Sequence, residues 1–173
     1  MANLKWIGCF LSLLLTGCVT KPPGIEPVKN FDAERYLGVW YEIARLDHSF
    51  ERGMDNVTAT YAVRPDGGIS VTNRGYKRGE DRWKEATGRA YAVEDEETGF
   101  LKVSFFGPFY GAYVVFELDP DYRYAFVSGP DLSYLWLLSR SPTISDDLRQ
   151  QFIRSITERG YDADKLIWVK HDR

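Results

Sequence analysis

The chain contains little cysteine and little histidine, and its charge is close to balanced. Its cysteines are Cys9 and Cys18, and its histidines are His48 and His171. There is also no Gly-x-Ser-x-Gly sequence, so no nucleophile, base and orienting group occur together, which disfavours an enzyme. The net charge of −3, without a basic stripe, disfavours a nucleic-acid-binding protein. No catalytic residue, metal site or cofactor is therefore expected.

The first 17 residues are predicted to be an export signal. Lys5 supplies a positive start, and the apolar stretch from Trp6 to Leu15 is interrupted only by small residues and Cys9. This stretch has about ten residues, whereas a helix that spans a bilayer needs roughly 20. It is therefore too short to be a transmembrane helix.

The end of this signal, Leu15-Thr16-Gly17-Cys18, resembles the lipobox of bacterial lipoproteins. The resemblance implies that the thiol of Cys18 receives a diacylglyceryl group, that residues 1–17 are removed, and that the new amine is acylated, for example as N-palmitoyl. Val19 stands where an aspartate would favour the inner membrane, so the resemblance implies the outer membrane, with the domain on the periplasmic side. The alternative is an ordinary cleavage site with a chance cysteine beside it.

Removal of the signal leaves Cys18 as the one remaining cysteine, so the exported domain must be stabilised by its core without a disulfide. Residues 18–30 include three prolines and Gly24, and they are predicted to form a semi-extended, lipidated tether. Residues 31–173 are predicted to form a single domain.

Short apolar or alternating runs, separated by turn residues, indicate an all-β domain. The predicted strands cover residues 40–45, 56–63, 68–76, 83–93, 100–105, 112–118, 124–128 and 134–139. Pro and Gly at the intervening turns suit short hairpins. Eight antiparallel strands in an up-and-down order tend to close into a barrel, because closure removes the exposed edges.

Helical patterns occur before and after these strands. Residues 31–37 are predicted to form a short helical turn. After the last strand of the barrel, Ser145 is a predicted N-cap for a helix that ends near Arg159 and Gly160. Its apolar stripe requires a partner, so this helix is expected on the outside of the barrel. A last strand over residues 166–169 is expected beside the first one.

Three sequence motifs resemble those of the lipocalin family, and within it the bacterial outer-membrane lipoproteins related to apolipoprotein D. They are Gly38-Val39-Trp40, Asp119-Pro120-Asp121-Tyr122 and Arg140. Alternating hairpins bring all three motifs to one end of the barrel, the closed end. The resemblance implies that Gly38, Trp40 and Arg140 close the barrel, with the guanidinium of Arg140 over the indole of Trp40.

The resemblance also implies a ligand cavity inside the barrel. Val71 and Asn73 are expected to face this cavity by analogy with the family, and residue parity along the other strands predicts more of its lining. Arg140 points inward in the family, so Leu138 and Trp136 are expected to do the same. The parity of the strand over residues 112–118 stays open, because both of its faces are apolar. Ala44, Gly88 and Ala90 are expected to leave room in the cavity. The predicted ligand-contacting residues are Trp136, Leu138, Asn73, Val71, Phe105, Val103, Tyr113 and Phe106.

At the opposite, open end, two groups of side chains have alternative interpretations. Phe106, Phe109 and Tyr110 form either an apolar rim or a self-packed loop. The cations near the mouth either receive a phosphate or carboxylate head group or are an ordinary solvated charge cluster. These cations are Arg45, His48, Arg52, Lys77 and Arg78.

The favoured function is the binding, storage or transport of a lipid with a long acyl chain, such as a fatty acid or a lysophospholipid, by a protein held to the membrane through its lipid anchor. One alternative is a structural or assembly protein of the cell envelope with a filled barrel. A lipid-modifying enzyme is a weaker alternative. A homodimer is possible, since the family contains homodimers.

Overall fold

The computed structural model describes residues 19–173, so the export signal and Cys18 lie outside the described residues. The helices are α1 (Ala33–Tyr36) and α2 (Asp146–Glu158). The strands are β1 (Gly38–Arg45), β2 (Met54–Val63), β3 (Ile69–Lys77), β4 (Arg82–Ala92), β5 (Phe100–Ser104), β6 (Gly111–Leu118), β7 (Tyr124–Ser128), β8 (Leu135–Ser139) and β9 (Ile167–Trp168). Among residues 19–173, no helix is long and apolar enough to cross a membrane.

The strands form a closed antiparallel barrel. Each of the strands β2 to β7 pairs with the next strand along the chain, and β1 pairs with both β8 and β2, which closes the ring. Strand β9 pairs with the upper part of β1, through Ala44 and Arg45. The predicted eight-stranded up-and-down barrel and the additional strand are therefore confirmed, with strand ends within two residues of the predicted ones.

Helix α2 has the predicted capping at both ends and lies on the outer wall of the barrel. The hydroxyl of Ser145 accepts a hydrogen bond from the Leu148 amide at 3.2 Å. Gly160 follows the helix with a φ of +86°, and the Tyr161 amide donates to the Ile156 carbonyl at 3.1 Å, which is the Schellman arrangement. Phe152 is fully buried, with its ring 4.8 Å from that of Phe126.

The buried apolar residues divide into two clusters on the two faces of the barrel wall. The outer cluster lies between the wall and α2 and includes Phe126, Leu137, Phe152 and Ile156. The inner cluster fills the lower interior around Trp40 and extends upward along the wall. The parity of β6 is thereby settled: Val114 and Phe116 belong to the outer cluster, whereas Tyr113 and Val115 belong to the inner cluster.

A β-bulge in β1 changes the parity of its upper half. Glu42 is opposite Leu138, but the next paired residue, Ala44, is opposite Leu137, so one residue is inserted between them. Ala44 consequently lies in the outer cluster, and Arg45 is opposite the inward-facing Trp136. The prediction that Ala44 leaves room in the cavity is therefore wrong, whereas Ala90 does belong to the inner cluster.

The segment before α1 is packed against the barrel along most of its described length. Ile25 is fully buried in the outer cluster, and Val19 packs against the same cluster. The Val28 amide donates to the Val115 carbonyl at 2.9 Å, and the Phe31 amide donates to the Glu97 carbonyl at 2.8 Å. Much of residues 19–30, the described part of the predicted tether, therefore lies against the barrel.

Candidate functional site

The closed end is held together by one guanidinium group. The guanidinium carbon of Arg140 lies 3.9 Å from the ring centroid of Trp40. Its nitrogens donate to the carbonyls of Val39, Arg35 and Tyr122 at 2.9, 2.8 and 3.3 Å. The structure thus brings together the three sequence motifs, because Tyr122 belongs to the second of them. Gly38, which has a φ of +93°, lets the chain turn into β1 beside this group.

Seven of the predicted ligand-contacting residues lie on the inner face of the barrel. Leu138 and Val71 are buried in the inner cluster, and Val103, Phe105, Tyr113 and Trp136 are partly buried against it. Asn73 is opposite Ala59 of the inner cluster. Phe106 differs from these seven, because its side chain is 80% exposed in the loop that follows β5. A ligand would meet Phe106 only at the mouth.

Strand β4 leaves space in the interior. Its inward positions are occupied by the small residues Ala86, Gly88, Ala90 and Ala92. In the pairing of β4 with β3, Ala86 lies opposite Asn73, Gly88 opposite Val71 and Ala90 opposite Ile69. A Cβ added to Gly88 would lie 2.6 Å from the Ser104 carbonyl oxygen and 2.9 Å from the Phe105 ring, so the space at this glycine is occupied by these two residues and is not left open as predicted. Ala86 is exposed although it is on the inner face, so solvent reaches the interior beside β4.

Two surface grooves lie outside the barrel. One, with a volume of about 460 Å³, lies between the start of α2 and the ends of β7 and β8. The other, of about 410 Å³, lies at the closed end beside Pro120. Neither is lined by a predicted ligand-contacting residue, and we place the candidate site in the interior because the inward side chains are apolar and partly accessible.

Three tyrosine hydroxyl groups meet inside the barrel, and we call Tyr36, Tyr61 and Tyr113 the tyrosine triad. The hydroxyl of Tyr113 lies 2.7 Å from that of Tyr36 and 2.7 Å from that of Tyr61. The Tyr36 ring packs on Trp40 with the centroids 4.7 Å apart, so the triad lies directly above the closed end. Burial raises the pKa of all three hydroxyls, which remain neutral at physiological pH.

Charged groups are buried in the upper interior. Arg45 is 1% exposed, and it donates to the Glu42 carboxylate at 2.7 Å and to the carbonyls of Glu51 and Met54 at 3.1 Å. The Glu51 carboxylate accepts a hydrogen bond from the Trp136 indole at 3.1 Å. Burial raises the pKa of Glu42, which the charge of Glu51 raises further, and burial also raises the pKa of Glu51. Glu51 therefore contacts the predicted ligand-contacting tryptophan, and Arg45, which lies opposite this tryptophan on β1, pairs with the second acid, Glu42.

An aromatic stack with His48 at its centre covers the same tryptophan. The imidazole lies between Phe50 and Tyr134, with centroid distances of 5.3 and 5.0 Å, and 4.6 Å from the Trp136 ring. Burial, together with the positive charge of Arg45, lowers the pKa of His48 to about 4. His48 is consequently neutral at physiological pH and acts here as an aromatic side chain.

The structure distinguishes between the alternatives for the open end. Arg45 is internal, Arg52 is paired with Asp47 at 2.7 Å, and Arg78 contacts Asp55 and Asp172. Lys77 donates to the Arg52 carbonyl. These cations have partners within the chain, which favours the charge-cluster interpretation. Phe106 and Phe109 are 80% and 79% exposed, so these two side chains are not packed within the loop, which favours the apolar-rim interpretation.

Sequence reasoning missed Glu42, Arg45, Glu51, Tyr36 and Tyr61 as interior residues. Glu42 has the same parity as Trp40, so strict alternation along β1 would have placed it inside. Arg45 carries no such signal, because the bulge reverses its parity. The inward position of Glu51 depends on a loop that folds back over the mouth.

A closed eight-stranded barrel, an arginine stacked on a tryptophan at one end and a single outer helix together define a lipocalin. The sequence family described as a lipocalin-like domain matches residues 31–171, and the chain belongs to it. Proteins of this family are binding proteins.

Among known proteins, the chain is similar to bacterial outer membrane lipoproteins named Blc. It is 59% identical to that of Vibrio cholerae, over 92% of this chain and 94% of that protein. It is 54% identical to that of Escherichia coli K12, over 87% and 85%. Apolipoprotein D of Mus musculus is more distant, at 29% identity over 84% and 80%. These relatives confirm the predicted subfamily and the predicted lipid-anchored location at the outer membrane.

Among solved structures, insecticyanin from the tobacco hornworm Manduca sexta matches with a TM-score of 0.71. The match covers 90% of this chain and 89% of that one, at 20% sequence identity. At this level of identity the similarity supports the fold alone.

Proposed function

We propose that the barrel binds one long acyl chain of a fatty acid or a lysophospholipid, and that the protein stores or transports this lipid in the cell envelope. The observation that carries the proposal is an apolar inner wall that remains partly accessible, at Val103, Phe105, Tyr113 and Trp136, opposite small residues of β4. Transfer of an acyl chain from water to such a wall contributes about 0.8 kcal/mol for each buried CH₂ group.

The location of the protein favours this ligand class. An acylated Cys18 would hold the barrel at the inner surface of the outer membrane, on the periplasmic side, where phospholipid-derived acyl chains are available. Several acyl chains on one residue bind a membrane durably, whereas a single chain binds reversibly. A barrel filled by its own side chains would leave the inward wall fully buried, and the exposure of Ala86 argues against it.

Intrinsic tryptophan fluorescence provides a direct test of lipid binding. Titration with hexadecanoate or with a lysophospholipid should give a saturable change in emission, because Trp136 lies at the inner wall near the mouth. Trp136→Phe should remove most of this change. Trp83→Phe should preserve it, since Trp83 is 39% exposed on the outer face. No saturable change, together with no displacement of an apolar fluorescent probe, would contradict the proposal.

Membrane anchorage is tested separately from lipid binding. Cys18→Ser removes the proposed acylation site, so the protein should move from the membrane fraction to the soluble or unprocessed fraction. Val19→Ser is the control, because it leaves the thiol in place. Unchanged anchorage of Cys18→Ser would contradict acylation of this residue without affecting the proposal for the barrel.

A further inference from the structure

The interior of the barrel ends on a polar surface. The hydroxyl groups of the tyrosine triad come from α1, β2 and β6 and meet across the barrel above Trp40. The rest of this depth is apolar, with Leu101, Val115, Val127 and Leu138 in the same cluster. A ligand that reaches the lower end of the cavity therefore meets hydroxyl groups and not hydrocarbon.

The triad has more hydrogen-bond donors than it uses. Each of the three neutral hydroxyls carries one proton, and the two O···O contacts engage only two of the three protons, whichever atoms donate. Among residues 19–173, these hydroxyls make no other hydrogen bond. One O–H donor is thus available for a partner from outside the protein. If the methyl end of an acyl chain lies against it instead, the donor stays without a partner, which carries a desolvation penalty.

Tyr113 is the member that a ligand can reach. Tyr36 is fully buried and Tyr61 is 3% exposed, whereas Tyr113 is only partly buried. Tyr113 also lies on β6 opposite Leu101, within the apolar wall along which an acyl chain would lie. Tyr113 takes part in both contacts of the triad, so when Tyr36 and Tyr61 donate to it, the unused O–H is that of Tyr113 and the free donor lies on the accessible side chain.

The charges of the interior indicate an uncharged partner. Glu42 and Glu51 are buried in the same interior, and Arg45, which could attract an anion, is already engaged by Glu42. The guanidinium of Arg140 lies below Trp40 and is occupied by three carbonyls. A carboxylate at the triad would thus be buried without a free cation to compensate its charge, whereas an uncharged hydroxyl or carbonyl oxygen would not carry this cost.

We propose that the tyrosine triad selects acyl chains that carry an uncharged oxygen toward their far end, with the Tyr113 hydroxyl donating to that oxygen. This inference rests on the proposed binding of acyl chains and names a preference within that class. The head group of the ligand stays at the mouth near Trp136, and the oxygen substituent at the far end takes the third hydrogen bond of the triad.

A competition between two matched ligands tests the preference. The full-length lipidated protein is incubated with equal amounts of hexadecanoate and 16-hydroxyhexadecanoate, and the bound ligand is identified by native mass spectrometry. The hydroxylated ligand should be retained about tenfold more, because the triad loses a hydrogen bond when the hydroxyl is absent. Tyr113→Phe should reduce this ratio at least fivefold, and Tyr161→Phe, which changes a tyrosine outside the barrel, should preserve it.

The outcomes separate the preference from acyl binding itself. If the wild-type protein retains neither ligand, the proposed function fails. If it retains both equally, or prefers hexadecanoate, acyl binding stands and the selective role of the triad is refuted. A ratio that is unchanged in Tyr113→Phe also refutes it. If circular dichroism shows that Tyr113→Phe is unfolded, the wild-type protein is tested with 2-hydroxyhexadecanoate against 16-hydroxyhexadecanoate, since the hydroxyl of the former stays beside the head group at the mouth. Equal retention of these two ligands then refutes the selective role of the triad.

Discussion

The two ends of the barrel treat buried polar groups in opposite ways. At the closed end, the Arg140 guanidinium satisfies three carbonyls, and the Trp40 indole donates to the Tyr36 carbonyl at 2.7 Å. At the open end, two acids are buried beside one guanidinium, and Arg45 Nε and His48 Nε2 have no hydrogen-bond partner among the described residues. The polar groups of the closed end therefore stabilise the fold, whereas the buried polar groups of the open end lower the free energy of unfolding.

This difference is expected of a binding protein, in which one end of the barrel stabilises the fold and the other end contacts the ligand. A satisfied polar network rigidifies its surroundings, while an incompletely satisfied one is retained where function requires it. Of the two unsatisfied side chains, His48 packs on Trp136, the residue that we expect at the mouth of the cavity, and Arg45 lies opposite Trp136 in the pairing of β1 with β8. Three substitutions test whether the two ends differ in this way.

The largest effect is expected from Trp40→Ala. Trp40 is fully buried and supports both Arg140 and Tyr36, so its removal should cost about 3–5 kcal/mol in the free energy of unfolding. Urea denaturation measures this loss. Trp83→Ala, at a partly exposed tryptophan on the outer face, should cost no more than about 1 kcal/mol. Similar losses in the two variants would contradict the stabilising role of the closed end.

A smaller effect is expected from Arg140→Lys. A lysine ammonium is a compact charge that cannot donate to three separate carbonyls and stack on an indole at once, so about 1–2 kcal/mol should be lost. Arg52→Lys, in the exposed pair with Asp47 at the open end, should change stability by less than about 0.5 kcal/mol. The comparison fails if the open-end arginine proves as important as the one at the closed end.

The smallest effect is expected from Glu51→Gln, and it should depend on pH. Burial raises the pKa of Glu51, so the folded protein holds a proton that the unfolded chain releases above its ordinary pKa of 4.5. The wild-type protein consequently loses stability as pH rises from there through the raised pKa. The glutamine variant lacks this carboxyl, so its stability relative to wild type should increase with pH, by on the order of 1 kcal/mol.

Thermal unfolding between about pH 5 and pH 8 measures this increase. Glu96→Gln, at an exposed acid in the β4–β5 turn, should show no such dependence. A pH-independent difference between Glu51→Gln and wild type would show that Glu51 is not a strained acid, and the contrast between the two ends would then rest on stability alone.

The architecture could be predicted from the sequence because each strand has a run of apolar or alternating apolar and polar residues, and each turn contains a glycine or a proline. The strand over residues 124–128 is predicted with the bounds that the structure has. The α2 helix was equally accessible, since Ser145 and Gly160 mark its ends locally. The packing of residues 19–30 was not, because their prolines indicate an extended chain but do not reveal that Ile25 has an apolar partner.

The interior residues could be predicted only on strands where inward and outward side chains alternate without a bulge. Leu138 and Trp136 follow from Arg140 on a strand without a bulge, and the structure places both on the inner face. The bulge in β1 inserts a residue that no sequence signal marks, so Arg45 could not be placed inside. The tyrosine triad depends on contacts between residues up to 77 positions apart, which only the closed barrel brings together.

The packing of Val19 against the barrel wall determines how the protein is mounted on its membrane. If Cys18 carries the acyl chains, the joint between membrane and domain is a single residue wide, because the next residue already belongs to the folded body. Such a joint lacks the reach of a linker, which grows with the number of flexible residues. The height and orientation of the cavity mouth above the lipid surface are then set by the dimensions of the barrel. Any transfer of lipid between the membrane and the cavity would therefore take place over a fixed distance.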